Sequence, residues 1–332
     1  MSVYGRTSIA SLGKKLVLGQ AKVFAYRFGF RPLRIVHPAS HHPTRLYSAA
    51  ALKGGKYFPE ADVEELEAYA PGGYHPTVIG DSFCDGRYII VHKLGFGGYA
   101  TIWLARDELL HRHVSLKILA AQESADTNEA TIIRTLQQTQ TSTRGGRQFI
   151  PVLLDQFNFD GPNGHHLCLV SEPAGSNVAQ SKEDSTDLMF PAETARSIAA
   201  QCLMGLSYLH SEGVCHGDLH IRNVLLRNSE LSTISTTDLY ERFGKPCSVP
   251  IRRLDGNAVE PNAPPHAVFP MVQNMRGHQL YDAEILISDY GTSFLTQQTS
   301  SPTLYTPTPY CPPPKPFSAT PFLRLWLPMF GH

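Results

Sequence analysis

The chain has 332 residues, 42% of them hydrophobic, enough for one or two domains with a substantial core. Its 29 basic residues balance 29 acidic ones, so no whole-chain field points to direct nucleic-acid binding or to an acidic partner. No run of eighteen apolar residues occurs, which argues against a membrane span, and the six cysteines show no CxxC pairing, which argues against a zinc site or a disulfide framework.

The neutral mean conceals an asymmetry. Residues 1–59 contain no Asp or Glu, while basic residues run from Arg6 to Lys56 among several Ser and Thr. An Arg-rich, Ser-rich, acid-poor start is the composition of a mitochondrial transit peptide. Arg45–Ala49 is similar to a processing site, with cleavage after Tyr47. The other reading is a basic tail without an address. EADVEELEAY (60–69) reads as a short acidic helix, and PGGYHP (71–76) as turn chemistry.

From Asp85 the pattern changes to strands: Arg87–Leu94, then a break at Gly95–Gly98, then Thr101–Arg106 and Val114–Leu119. Asn128–Gln137 predicts a helix, with Ile132, Ile133 and Leu136 on one stripe. Phe149–Asp155 and His166–Ser171 read as two more strands, which together would make a small antiparallel domain. Ala192–His210 predicts a long helix with Ala195, Ile198, Ala199, Cys202, Leu206 and Leu209 on one face, started by Pro191 and stopped by Gly213. Residues 228–282 are rich in Pro, Asn and Ser around a DLYERF helix signal, and read as a functional or mobile insertion. Glu284–Ser288 is one more strand. From Thr296 onward the chain is rich in Ser, Thr and Pro.

Five places carry chemistry. Leu94-Gly95-Phe96-Gly97-Gly98-Tyr99-Ala100-Thr101-Ile102 lies between two strands. Glycines let backbone amides approach phosphate oxygens, although a plain Gly-rich hairpin turn reads the same. Lys117 sits in an apolar strand, 22 residues past Gly95, and a lysine there is costly unless paired. Its natural partner is Glu129 on the following helix. His216-Gly217-Asp218-Leu219-His220-Ile221-Arg222-Asn223 follows a long helix and leads into an apolar strand. Asp218 can orient an attacking hydroxyl and accept its proton, while Asn223 can hold a metal ion. Asp289-Tyr290-Gly291 ends a strand, where Asp289 can bind Mg²⁺.

In this order the motifs resemble the eukaryotic protein-kinase fold. GGYHPTVIGD (72–81), GRYIIVHKLGFGGYATIWLARD (86–107), VSLKIL (114–119), LYERFGKPCSVPIRRLDG (239–256) and PPHAVFP (264–270) resemble its SR-protein-kinase-like group, in a fungal branch. The resemblance covers about residues 57–310. It implies an α+β, two-lobe fold: a small, complete, β-rich N-lobe (57–175) and a partial helical C-lobe (176–310) carrying insert 228–282. It also implies a serine/threonine protein kinase that uses ATP and Mg²⁺ on a protein substrate, Ser/Arg-rich by group. Asp218, Lys117 and Glu129 would be catalytic. Leu94–Ala100, Ile102, Lys117 and Glu172 would contact the nucleotide, adenine being held through backbone groups near Ser171–Gly175. Asn223 and Asp289 would hold metal.

The chain departs from the group at four points. Ala100 replaces a third glycine. His220 replaces a Lys, giving a loop also similar to that of aminoglycoside and choline phosphotransferases. Gly217 replaces an Arg that links activation-loop phosphorylation to the catalytic loop. Tyr310-Cys311-Pro312-Pro313-Pro314-Lys315 begins like the group's Pro-Pro-Glu motif but lacks the Glu, and residues 311–332 do not resemble the group, so a truncated chain is expected. A nucleotide-binding fragment or pseudokinase without turnover, and a small-molecule phosphotransferase, stay open as alternatives. The group suggests a cytoplasmic or nuclear location, against the mitochondrial composition of the leader.

Overall fold

The computed structural model describes residues 55–138, 145–297 and 305–310, all within the compact unit Leu52–His332. All of the leader read over residues 1–56 except its last two residues, and the readings on Cys311 and the residues after it, lie outside the described residues.

The architecture is α+β in two lobes. The first is an antiparallel sheet of β1 (Ser82–Phe83), β2 (Tyr88–Phe96), β3 (Ala100–Asp107), β4 (Arg112–Leu119), β5 (Leu153–Gly161) and β6 (Gly164–Ser171), in spatial order β1-β2-β3-β4-β6-β5. Two helices, α1 (Ala121–Ser124) and α2 (Glu129–Gln138), lie between β4 and β5. Strand alternation sorts the side chains onto two faces. The register aligns Gly95, Ile102, Lys117 and Leu169 in one row, and Lys93, Trp103, Leu116 and Val170 in a row on the opposite face. A register shift between Lys93 and Gly95 lets β2 serve both rows.

The second lobe holds α3 (Val178–Glu183), α4 (Ala192–Ser211) and two short strand pairs. β7 (Val214–Cys215) pairs with β12 (Phe294–Leu295), and β8 (Val224–Leu226) pairs with β11 (Ile285–Ile287), both antiparallel. Buried Ile198, Tyr208 and Leu209 of α4 join Ile132, Ile133 and Leu136 of α2 and the β8–β11 side chains in one core. That shared core fixes α2 against the second lobe, so burial along one helix stripe spans both lobes.

Three expectations need correction. The strand expected at Phe149–Asp155 begins only at Leu153 and runs to Gly161. Arg147–Phe149 is a 3₁₀ turn, Pro151 removes a ladder donor, and the Gly161–Gly164 turn sets the β5–β6 register. The acidic stretch 60–69 forms only a 3₁₀ turn, Leu66–Ala68, because Glu64 is drawn into the sheet's outer face instead of solvent. In α4 the buried stripe is Thr194, Ile198, Gly205, Tyr208 and Leu209; Ala195 and Ala199 are exposed. Close approach to the neighbouring core rotates the helix, since a Cβ on Gly205 would lie 2.6 Å from Ile287.

Residues 228–282 are not a loose loop. α5 (Glu230–Thr233) and α6 (Thr236–Phe243) pack Leu231 and Leu239 against Val91 and Leu104. β9 (Ser248–Pro250) and β10 (His266–Val268) form a hairpin whose neighbourhood shares an apolar cluster with Tyr57, Val63, Leu66, Tyr69 and Tyr74. Cys84, Cys168, Cys202, Cys215 and Cys247 are free thiols. Among the described residues no helix is long and apolar enough to cross a membrane.

Candidate active site

β4 places Lys117 on the same sheet face as Gly95 and Ile102. α2 begins at Glu129, whose side chain is almost wholly buried, and a carboxylate at a helix N-terminus is favoured by the helix dipole. Lys117 Nζ donates to both carboxylate oxygens of Glu129 at 2.8 and 2.7 Å. It also donates to Asp289 Oδ1 at 2.9 Å, across a separation of 172 residues. The Tyr290 N–H donates to Glu129 Oε1 at 3.3 Å, tying the Asp-Tyr-Gly turn to the same carboxylate.

The charges have a consistent sign. Burial alone would lower the Lys117 pKa, but Glu129 and Asp289 outweigh it and hold the ammonium above its ordinary range. The Lys117 charge, against the cost of burial, holds Asp289 below the usual carboxylate range. Asp289 keeps φ +66, a backbone conformation that a non-glycine residue adopts only under constraint. Tyr290 supplies part of that constraint, because its ring is fully buried in the core.

Both functional loops are framed by the strand pairs. Residues 216–223 run between β7 and β8, and residues 288–293 run between β11 and β12. Because Val224 pairs with Ile287, Asn223 lies beside Ser288, whose N–H and hydroxyl both donate to Asn223 O, at 2.8 and 3.0 Å. His216 joins the loops. Its Nε2–H donates to Ser288 O at 3.0 Å, while its Nδ1 accepts from Asp218 N–H at 3.4 Å. Burial lowers its pKa and keeps it neutral, the state that this donor–acceptor pairing requires. The Asn223 amide donates to Asp218 O at 2.9 Å, which turns its own Oδ1 the other way. Asp218 Oδ1 is buried and has no hydrogen-bond partner among the described residues, whereas Oδ2 lies 3.6 Å from His220 Nε2. A buried acceptor with no partner costs stability and marks a place for a donor from outside.

Gly217 has φ +83, and a Cβ there would come within 2.4 Å of Thr292 O. The position where the group has Arg is therefore closed to any side chain in this loop. The glycines of the β2–β3 hairpin differ. A Cβ on Gly95, Gly97 or Gly98 would meet nothing within 4 Å, so the protein's own packing does not demand them. Ala100 is already a buried β3 residue, and the turn closes ahead of it through Gly97 N–H to Ala100 O at 2.8 Å. Leu94 packs beside Val91 and Leu104, Ile102 is half-buried, Phe96 and Tyr99 are exposed, and Glu172 is exposed just past β6.

Residues 88–239 match the family described as protein kinase domain. That stretch is similar to protein kinase domains. It contains the glycine-rich hairpin, Lys117, Glu129 and the 216–223 loop; Asp289 lies beyond it and is carried in by the β8–β11 pair. The chain is 34% identical over 181 residues to the serine/threonine-protein kinase SKY1 of Saccharomyces cerevisiae, covering 53% of this chain and 24% of that one. It is 39% identical over 166 residues to the protein kinase dsk1 of Schizosaccharomyces pombe, covering 49% and 30%. It is 35% identical over 171 residues to the human SRSF protein kinase 3, covering 50% and 30%. The chain thus spans under a third of the length of each of these curated relatives. The SR-protein-kinase-like resemblance agrees with these relatives.

The residue types alone did not reveal the supports around this site. Nothing in the 216–223 pattern marks His216 as the link between two loops. Lys93 and Glu64 were not singled out, although a lysine inside YIIVHKLGF is a signal of the same kind as Lys117.

Proposed function

We propose that this chain transfers the γ-phosphoryl group of ATP to Ser or Thr hydroxyls of a protein substrate, with Mg²⁺. The observation that carries the reading is a lysine that meets two carboxylates from distant segments. His216 ties the Asp289 turn to the loop of Asp218, whose buried Oδ1 has no partner among the described residues. The donor set fits the ligands. Mg²⁺ is commonly held by one or two protein oxygens plus phosphate oxygens and water, which matches Asp289 with the Asn223 Oδ1 and needs no all-protein cage. The hairpin glycines leave open the space a phosphate would take.

In this reading Mg²⁺, when bound, neutralises charge on the phosphates. Lys117 and the hairpin amides hold and orient the phosphates, and Glu129 holds Lys117. Asp218 Oδ1 accepts the hydrogen bond of the substrate hydroxyl, aligns it, and takes its proton. His216 keeps Asp218 and Asp289 in register. His220, beside Asp218 Oδ2, stands where other members of the group place an ammonium.

The name of the human relative supports a Ser/Arg-rich substrate. A peptide of Arg-Ser repeats, incubated with the chain and ATP-Mg²⁺, should become phosphorylated on Ser. Tight nucleotide binding without transfer to any Ser or Thr peptide would replace this reading with a binding role. The acid-free residues 1–59 support a mitochondrial address, and a reporter fused behind residues 1–56 that stays in the cytosol would reject it.

A further inference from the structure

The glycine-rich hairpin is gripped from outside the sheet. Tyr74 is 3% exposed, and its hydroxyl donates to Gly97 O at 2.7 Å, at the tip of the β2–β3 turn. Tyr74 belongs to the outer face. Its ring meets Tyr69 edge-on at 5.7 Å, the Tyr69 hydroxyl bonds Glu64, and Glu64 pairs with Lys93, which lies 5.3 Å from the Trp103 ring. Trp103 is on the face opposite Lys117, since Ile102 is the residue paired with Lys117.

Tyr74 is itself anchored at its backbone. Asn163 in the β5–β6 turn donates through Nδ2 to Tyr74 O at 2.5 Å and to Asn262 O at 2.7 Å, while Asn262 Nδ2 returns a bond to Asn163 Oδ1 at 2.6 Å. Gly72 N–H donates to Asn163 O, and Ala121 and Gln122 donate to Gly73 O and Gly72 O. The β5–β6 turn and the start of α1 therefore hold the Gly72–Tyr74 segment, with the insert bonded to it through Asn163. Burial, with Glu64 and Glu65 nearby, pushes its hydroxyl pKa up to about 12, so it stays a donor at any physiological pH.

A trans peptide points its C=O and its N–H in opposite directions. Holding Gly97 O against Tyr74 on the outer face turns the Gly98 N–H toward the Lys117 side. We infer that Tyr74 is a positioning residue for the phosphate-binding hairpin, presenting the Gly98 amide to a phosphate by fixing the Gly97 carbonyl. This rests on the nucleotide site proposed above. Without the bond, the glycines of the tip are free to rotate that peptide plane, and affinity falls by the fraction of time the amide points elsewhere.

The test is Tyr74→Phe in the full chain, which keeps the ring and removes one donor. Titration calorimetry with ATP-Mg²⁺ should show affinity lower by about fivefold, the scale of one hydrogen bond. KM for ATP should rise in parallel with kcat within about twofold, and the melting temperature without nucleotide should be close to wild type. Hydrogen exchange of the 95–101 amides without nucleotide should be faster. Asn262→Ala, which loosens the anchor from the insert side, should give a smaller loss of the same kind and serves if Tyr74→Phe does not fold. Equal ATP-Mg²⁺ affinity and equal exchange in wild type and Tyr74→Phe would overturn the assignment of Tyr74 alone. A wild-type chain that binds no ATP-Mg²⁺ would overturn the nucleotide site itself, and Tyr74 with it.

Discussion

One sheet carries two lysine–glutamate pairs, on opposite faces. On the outer face, Lys93 and Glu64 have side chains only 0% and 1% exposed, and Tyr69 shares the carboxylate. On the inner face, Lys117 is 22% exposed and faces two carboxylates, the buried Glu129 and the 52% exposed Asp289. The outer pair is closed: one ammonium, one carboxylate, aromatic walls from Phe96 and Trp103. The inner set carries a surplus negative charge and opens to solvent. A lysine in an apolar strand is the same signal in both cases. Closure suits one pair to a structural role, while the surplus charge and the opening suit the other to the charged ligand proposed above.

The lysine protonation follows the contrast. Burial lowers the Lys93 pKa despite Glu64, whereas the two carboxylates raise that of Lys117 despite burial.

The largest expected effect comes from Lys117→Met, which should lower phosphoryl transfer by about a thousandfold, or about 4 kcal/mol of transition-state stabilisation, in a chain that still folds although Glu129 is left buried without its ammonium. A tenfold loss or less in peptide phosphorylation would mean that the inner set is structural too. Lys93→Met should do the reverse. It leaves Glu64 buried and unpaired, at a cost of about 3 kcal/mol in urea unfolding. Adding Glu64→Leu should recover most of that stability, and no recovery would show that Lys93 acts other than through this pair. Gly217→Ala should cost about 2 kcal/mol, because φ +83 strains any side chain and the Cβ meets Thr292 O. Equal unfolding midpoints would mean the loop relaxes freely.

The smallest stability effect belongs to Asp289. Its pKa is lowered in the folded state, so its contribution is present above the ordinary carboxylate value of about 3.9 and is lost as pH falls through the depressed folded value. Because half the side chain is exposed, Asp289→Asn should change stability at pH 7 by under about 1 kcal/mol, while abolishing metal-dependent transfer. A larger change in the pH dependence of the urea midpoint would place Asp289 among the structural pairs.

Much of the inner site was legible in the chain. Lys117, Glu129, Asp218, Asn223 and Asp289 sit on elements whose period and turn residues announce them, and the expected pairing of Lys117 with Glu129 is present. The misreadings share a cause. Phe149 and Ile150 are apolar and buried, so periodicity counted them as strand, yet they fill the core from a turn before Pro151. EADVEELEAY looked like a solvated helix because a string shows charge but not its partner, and Glu64 finds Lys93 only after the segment folds back over the sheet. The α4 stripe rotated because Gly205, silent in a hydrophobic count, is where the backbone comes closest to Ile287.

The order of elements, the glycine-rich turn, the lysine in an apolar strand and the two framed loops were determined by local pattern, because strand and helix periods and turn chemistry act over a few residues. Which lysine is sealed and which is open, that His216 bridges two loops, and that Tyr74 holds Gly97 were decided only by tertiary structure. Those facts depend on partners 23 to 172 residues apart, whose meeting is set by packing and which no local pattern encodes.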